Sequence, residues 1–136
     1  MAHVKASIGE IPYAVTIQAG RHALAADELP VLGGKDTAPG PYELVLAGLG
    51  ACTAITLKMY AQRKSWPLAH VHVSLHLHRD ESSARVERVI AVEGELTDEQ
   101  RARLADIAER TPVTLTLKGG LPIHTTLAAA APGAAS

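Results

Sequence analysis

A chain of 136 residues with 47% hydrophobic and 20% charged side chains has the make-up of one globular domain and excludes a disordered one. Its formal net charge of -1 leaves no electrostatic footprint for nucleic acid and no polybasic patch for an anionic membrane. A single cysteine, Cys52, excludes an internal disulfide framework, and with no Phe the core must come from Leu, Val, Ile and Ala.

The N-terminus, MAHVKASIGEIPYAV, lacks the basic-then-apolar layout of a signal peptide, and the cytoplasm is the expected compartment. Val4 to Ile17 is rich in β-formers and broken at Gly9 to Pro12, which predicts a hairpin. Gly20 marks a turn before Arg21 to Ala26. Leu32 to Pro41, rich in Gly and Pro, is a loop by composition. Pro41 then suits the first position of a helix, because its missing N–H has no helical partner there anyway. The pattern runs unbroken from Tyr42 to Lys64 except at Gly48 and Gly50, with Arg63 and Lys64 at the negative end of the dipole and Pro67 barring continuation. This helix is apolar nearly all round and is expected to be surrounded by protein. Thr53, Thr56 and Lys58 and a high Gly and Ala content argue against a membrane span.

His70 to His78, HVHVSLHLH, alternates strictly: Val71, Val73, Leu75 and Leu77 face one way, the histidines and Ser74 the other. Arg85 to Leu96 is its expected hairpin partner, with Val86, Ile90, Val92 and Leu96 on one face and Arg88 among them. Thr97 to Gln100 forms a capping box that opens a helix with Leu104, Ile107 and Ala108 inward. Thr111-Pro112 ends that helix. Beyond it, Thr111 fits the cap of a further short helix and Val113 to Leu117 fits a strand, and the pattern leaves both open. Gly119-Gly120 is a turn, Leu121 to Leu127 an expected last strand, and residues 128–136 an Ala-rich flexible tail outside the single domain 1–127.

Cys52, in the middle of the long helix, is either a small buried hydrophobe or a thiol activated by a cation, a hydrogen bond or a helix N-terminus. Glu43 lies in the first turn of the same helix. Nine residues at about 100° each set it on the side opposed to Cys52, so a shared site needs a second chain or a folded-back loop. Arg88, predicted to face inward, calls for a carboxylate or thiolate partner unless it snorkels to solvent. Arg21 is a second candidate cation, or a surface charge pairing with Asp27 or Glu28. For His70, His72, His76 and His78 a solvated polar face is the preferred reading over a metal site, since no carboxylate accompanies them at ligand spacing along the chain. No metal and no cofactor is expected.

Together GRHALAADEL, GGKDTAPGPYELVLAGLGACTAITLKMYAQRKSWPL, ERVIAVEGELTDEQRARLADIAERTPV and GLPIHTTL resemble the family of osmotically inducible protein C and organic hydroperoxide resistance protein (OsmC/Ohr) from about Gly20 to Leu127. PYELVLAGLGACTAITLKMYA is the most specific piece. The resemblance implies an α+β fold of antiparallel sheets around a long central helix, in an intertwined homodimer with two sites at the interface. It also implies a central-helix cysteine that attacks an organic hydroperoxide, a second cysteine that closes a disulfide, external thiols that reduce it, and an arginine and a glutamate that activate the first thiolate. On this sequence those roles fall to Cys52, to Glu43, and to Arg21 or Arg88. Thr111 stands where the second cysteine would precede the proline, and a hydroxyl cannot resolve a sulfenic acid as a disulfide. Glu43 also comes one place later after the proline than in the hydroperoxide-resistance branch, where Tyr42 stands here.

The expected function is therefore a thiol-dependent peroxidase working with one cysteine on organic hydroperoxides and an external thiol. Two alternatives stand beside it: a binding protein for an apolar small molecule, and a redox sensor.

Overall fold

Alternating β-formers at the N-terminus pair as an antiparallel sheet of three strands, β1 (Val4–Ile8), β2 (Val15–Ala19) and β3 (His22–Ala26), in that order. The computed structural model describes residues 2–129. The predicted break at Gly9 to Pro12 is the β1–β2 connection, and Gly20, at φ +60°, makes the β2–β3 turn. From Asp27 the chain runs through a short 3-10 turn, Pro30–Leu32, into the Gly- and Pro-rich loop.

That loop is anchored at its start. The Asp27 carboxylate accepts from the Thr37 hydroxyl at 2.6 Å, from the Thr37 N–H at 3.1 Å and from the Glu28 N–H at 2.7 Å. The Thr37 hydroxyl first, and these backbone donors with it, pull the Asp27 carboxyl down to about 2. Gly34 is required here, since a Cβ would collide with the Glu28 carbonyl.

The loop delivers the chain to α1 (Pro41–Arg63), with Pro41 at the first position as expected. Its buried residues Leu49, Thr53, Leu57 and Ala61 recur every four places and form one stripe. That stripe packs on β4 (Leu68–Arg79), which pairs antiparallel with β5 (Ala84–Gly94). Val71, Val73 and Leu77 lie opposite Val92, Ile90 and Val86, and Leu75 lies opposite Arg88. The approach of helix to hairpin is close at Gly50, where a Cβ would come within 2.9 Å of Leu75 Cδ1.

Beyond the hairpin, α2 (Asp98–Ala108) opens on the predicted capping box, with Thr97 Oγ1 accepting from the Gln100 N–H and Gln100 accepting from the Thr97 N–H. The core gathers Leu57, Ala61, Leu68, Leu104 and Ala108, with Tyr60 and Trp66 edge to face beside it. Each fully buried leucine there stabilises the fold by about 1.5–3 kcal/mol.

The stretch after Thr111 is a helix, α3 (Pro112–Gly119), rather than a strand. Pro112 at its first position starts the turn, and among the described residues no strand lies beside it to supply a ladder. The expected last strand, Leu121 to Leu127, is corrected: the segment has no regular structure, and Leu121, Ile123 and Leu127 are exposed. Without a neighbouring strand in this chain its backbone has nothing to pair with. Residues 130–136 of the predicted tail lie outside the described residues.

The expectation that α1 is enclosed also needs correction. Within one chain only its four-residue stripe is fully buried, and Val45, Ile55 and Met59 are 49%, 58% and 45% exposed. By length and composition α1 is also long and apolar enough to cross a membrane, a test that the core helix of a globular fold passes as well. In this fold its buried stripe packs on the hairpin and the two short helices. The architecture is α+β: two antiparallel sheets and a long helix.

Candidate functional site

Cys52 is half-buried on α1, one residue before Thr53 of the buried stripe. The Thr56 hydroxyl lies 3.9 Å from its sulfur, one turn along α1. Burial pushes the thiol up, but hydrogen bonding from the Val113 N–H and the Thr111 and Thr56 hydroxyls, with the Arg88 charge added, outweighs it and holds the group below its ordinary value. The first N–H groups of a helix have no intrahelical partner and carry the positive end of its dipole. At α3 Thr111 is the N-cap residue, yet its side chain makes no capping bond.

Arg88 reaches the same region from β5. Its side chain is only 13% exposed. Nη1 donates to Thr53 Oγ1 and to Thr114 Oγ1, each at 2.9 Å, and Nη2 donates to the Ala108 carbonyl at 2.9 Å. The inward orientation read from the strand pattern is the one observed. The expected carboxylate partner is replaced by neutral oxygens: the single ion pair of Arg88 among the described residues is a long one, 3.8 Å to Glu109, whose carboxylate also binds Lys118 at 2.8 Å. A guanidinium satisfied by hydroxyls and a carbonyl keeps its positive charge largely uncompensated, which favours an anion nearby.

The other two candidates stand apart from the sulfur in the single chain. Glu43 accepts from the Gly40 N–H at 2.9 Å and so caps α1. Arg21 is exposed in the β2–β3 turn and forms no ion pair among the described residues; its expected partner Asp27 is engaged with Thr37 instead. Neither hydrogen-bonds Cys52. Thr111 is fully buried at the start of α3.

Sequence reasoning missed Thr53, Thr114 and the Ala108 carbonyl. The four-residue spacing Leu49–Thr53–Leu57–Ala61 carried the signal for Thr53, and the i,i+3 spacing from Thr111 carried it for Thr114. The histidine row also has company that the linear spacing hid. Across the ladder Glu93 receives His72 at 2.5 Å, and Glu87 faces His78 at 3.5 Å. Among the described residues no group of three or more His, Cys, Asp or Glu is arranged to hold a metal ion.

A groove of about 720 Å³ runs between α1, the hairpin and α3, lined by Leu46, Leu49, Leu77, Val86, Arg88 and Leu117 among others. Cys52 is not part of its lining.

The model of the family described as OsmC-like protein matches residues 34–126, the span that holds Cys52, Arg88 and Thr111. The chain belongs to the OsmC-like family. Solved OsmC-like structures have the same fold. An OsmC-like protein from Mycoplasma pneumoniae superposes with a TM-score of 0.76 at 19% identity over 88% of each chain. An organic hydroperoxide resistance protein OsmC from Legionella pneumophila gives 0.66 at 20% identity, covering 88% of this chain and 90% of that one. The organic hydroperoxide resistance protein of Bacillus subtilis gives 0.59 at 23% identity, covering 88% and 91%. No curated protein matches the sequence. The OsmC-like α1 carries the sulfur.

Proposed function

We propose that this chain is a thiol-dependent peroxidase that reduces organic hydroperoxides through Cys52 alone, acting as a cytoplasmic homodimer. The observation that carries the reading is the placement of Arg88: its side chain is only 13% exposed and donates to Thr53, the residue next to Cys52 on α1. A thiolate is the nucleophile in such chemistry, and a largely uncompensated cation close by favours it over the thiol. Family membership supports the substrate class, since relatives of the same fold are named organic hydroperoxide resistance proteins.

In the reaction the Cys52 thiolate attacks the distal oxygen of the hydroperoxide. An S–O bond forms as the O–O bond breaks, giving the sulfenic acid and an alkoxide that takes a proton from water to leave as the alcohol. The Arg88 charge and the α3 N-terminus would stabilise the charge that develops. One external thiol condenses with the sulfenic acid, releasing water and leaving a mixed disulfide. A second thiol displaces the first as a disulfide and returns Cys52 to its reduced state. Thr111 offers no sulfur for an internal disulfide, so both electrons come from outside.

A second copy of the chain would cover the exposed apolar flank of α1 at Val45, Ile55 and Met59. In such a dimer Glu43 and Arg21, which the single chain leaves away from the sulfur, would be free to approach the partner's site.

The test is consumption of cumene hydroperoxide with dithiothreitol or a dihydrolipoyl donor. Steady consumption that disappears in Cys52→Ser, with a sulfenic acid trapped on Cys52 of the native protein, is expected. A thiol that stays inert overturns the reading. It would leave the apolar groove and a binding function for an apolar small molecule, which the leucine-rich lining favours. Oxidation without turnover would leave a redox sensor.

A further inference from the structure

Two guanidinium groups share a second pocket, of about 520 Å³, between β5 and α2. Arg88 reaches it from β5 and Arg101 from α2. Leu57 and Leu104, both almost wholly buried, form its apolar wall together with Ile90 and Val92 of the strand. Cys52 is not part of this lining either.

Neither cation has an acid at short range. Arg88 gives its hydrogen bonds to two hydroxyls and a carbonyl. Arg101 donates to the Val92 and Gly94 carbonyls at 3.4 and 3.5 Å, and forms no ion pair among the described residues. Both of those bonds are long and their acceptors neutral, so an anion can displace them at little cost. Glu109 is the one acid of the lining. It stays 3.8 Å from Arg88 and gives its closer contact, 2.8 Å, to Lys118. The lining therefore carries more positive than negative charge. Two like charges around one cavity repel, and an anion set between them relieves both.

We propose that the β5–α2 pocket binds a small amphipathic carboxylate, held between Arg88 and Arg101 with its aliphatic tail on Leu57, Leu104, Ile90 and Val92. A carboxylate matches the paired donors of a guanidinium, and the leucine wall calls for a tail of several methylenes. The volume lies within the range of about 300–1,000 Å³ usual for small-molecule sites. The inference goes beyond the peroxidase reading and does not depend on it, because the ligand needs no thiol.

The experiment is isothermal titration calorimetry on the full chain with octanoate as the probe. Octanol carries the tail without the charge, and acetate the charge without the tail. Octanoate is expected to bind about tenfold or more tightly than either. Arg101→Gln is expected to weaken octanoate about tenfold, the loss of one bond to a charged group, and to leave octanol unchanged. Arg101 is exposed and makes only two long bonds, so this variant keeps the fold. Arg101→Lys keeps the charge and is expected to recover part of the affinity. Arg101 lines this pocket and not the groove between α1 and α3, so the same variant tells the two cavities apart. Cys52→Ser is expected to bind octanoate as the native chain does. Octanoate that binds no better than octanol overturns the site. Affinity that Arg101→Gln leaves unchanged places the acid in the other cavity and overturns it as well, as does binding that disappears in Cys52→Ser. A pocket closed in solution by a second copy takes up none of the three probes, and that result overturns it too.

Discussion

Arg88 Nη1 donates to Thr53 Oγ1 across 35 residues of sequence, at 2.9 Å, and so fixes the rotation of α1 at the residue next to Cys52. A β-branched side chain already has few rotamers in a helix, and a second bond from Thr53 to the Leu49 carbonyl leaves it one. The strand, the long helix and the last helix are tied together by a single guanidinium.

Removing that tie should be felt in stability before it is felt in chemistry. Arg88→Ala strips donors from two buried threonines and a buried carbonyl, and is expected to cost about 2–4 kcal/mol. Arg88→Lys keeps the charge but lacks the planar fork that serves acceptors on both sides, and should fall between the two. Urea unfolding of the three proteins measures this. An alanine variant as stable as the native chain would show that the hydroxyls find other partners at no cost.

Position 111 offers a sharper test of the geometry. Thr111→Cys sets a second sulfur at the buried start of α3, the position that the resemblance gives to the second cysteine. One equivalent of cumene hydroperoxide should then consume both thiols and leave an intramolecular disulfide, read by thiol titration with and without reductant. The lost bond to Thr114 should cost about 1 kcal/mol. Two thiols still free after the oxidant would mean that α3 holds its first residue too far from α1 for a disulfide.

The Asp27 anchor predicts an acid-labile loop. Its carboxyl is held at about 2 in the folded chain, below the ordinary 3.8. A depressed folded value contributes stability that is fully present above the unfolded value and is lost as pH falls through the folded one. The stability advantage of the native chain over Asp27→Asn should therefore be constant near neutrality and shrink between about pH 4 and about pH 2. Urea midpoints across that window measure it. An advantage that does not change with pH would assign the anchor to shape and not to charge.

Much of the fold was legible because local signals were strong. The Thr97 capping box, the strict alternation of β4 and the Pro41 start of α1 each name an element from residues a few places apart. Arg88 facing inward followed from the same two-residue period. What could not be read was what Arg88 meets, because Thr53, Ala108 and Thr114 come from three other segments. The carboxylates beside the histidines were hidden for the same reason: cross-strand register is a property of the pair, not of either strand. Leu121 to Leu127 misled in the opposite way, since β-forming residues predict a strand only where a partner edge exists. The single chain also leaves Glu43 and Arg21 where no local pattern could join them to Cys52.

Among the described residues the hydrogen bond of Arg88 to α1 goes to Thr53, the neighbour of Cys52, and not to the sulfur. The scaffold and the reagent thus fall on adjacent residues, Thr53 and Cys52, one locked and one replaceable. Position 52 can be exchanged for serine, alanine or a selenium analogue without unfastening the lock, which makes this helix a socket into which different nucleophiles can be fitted and compared.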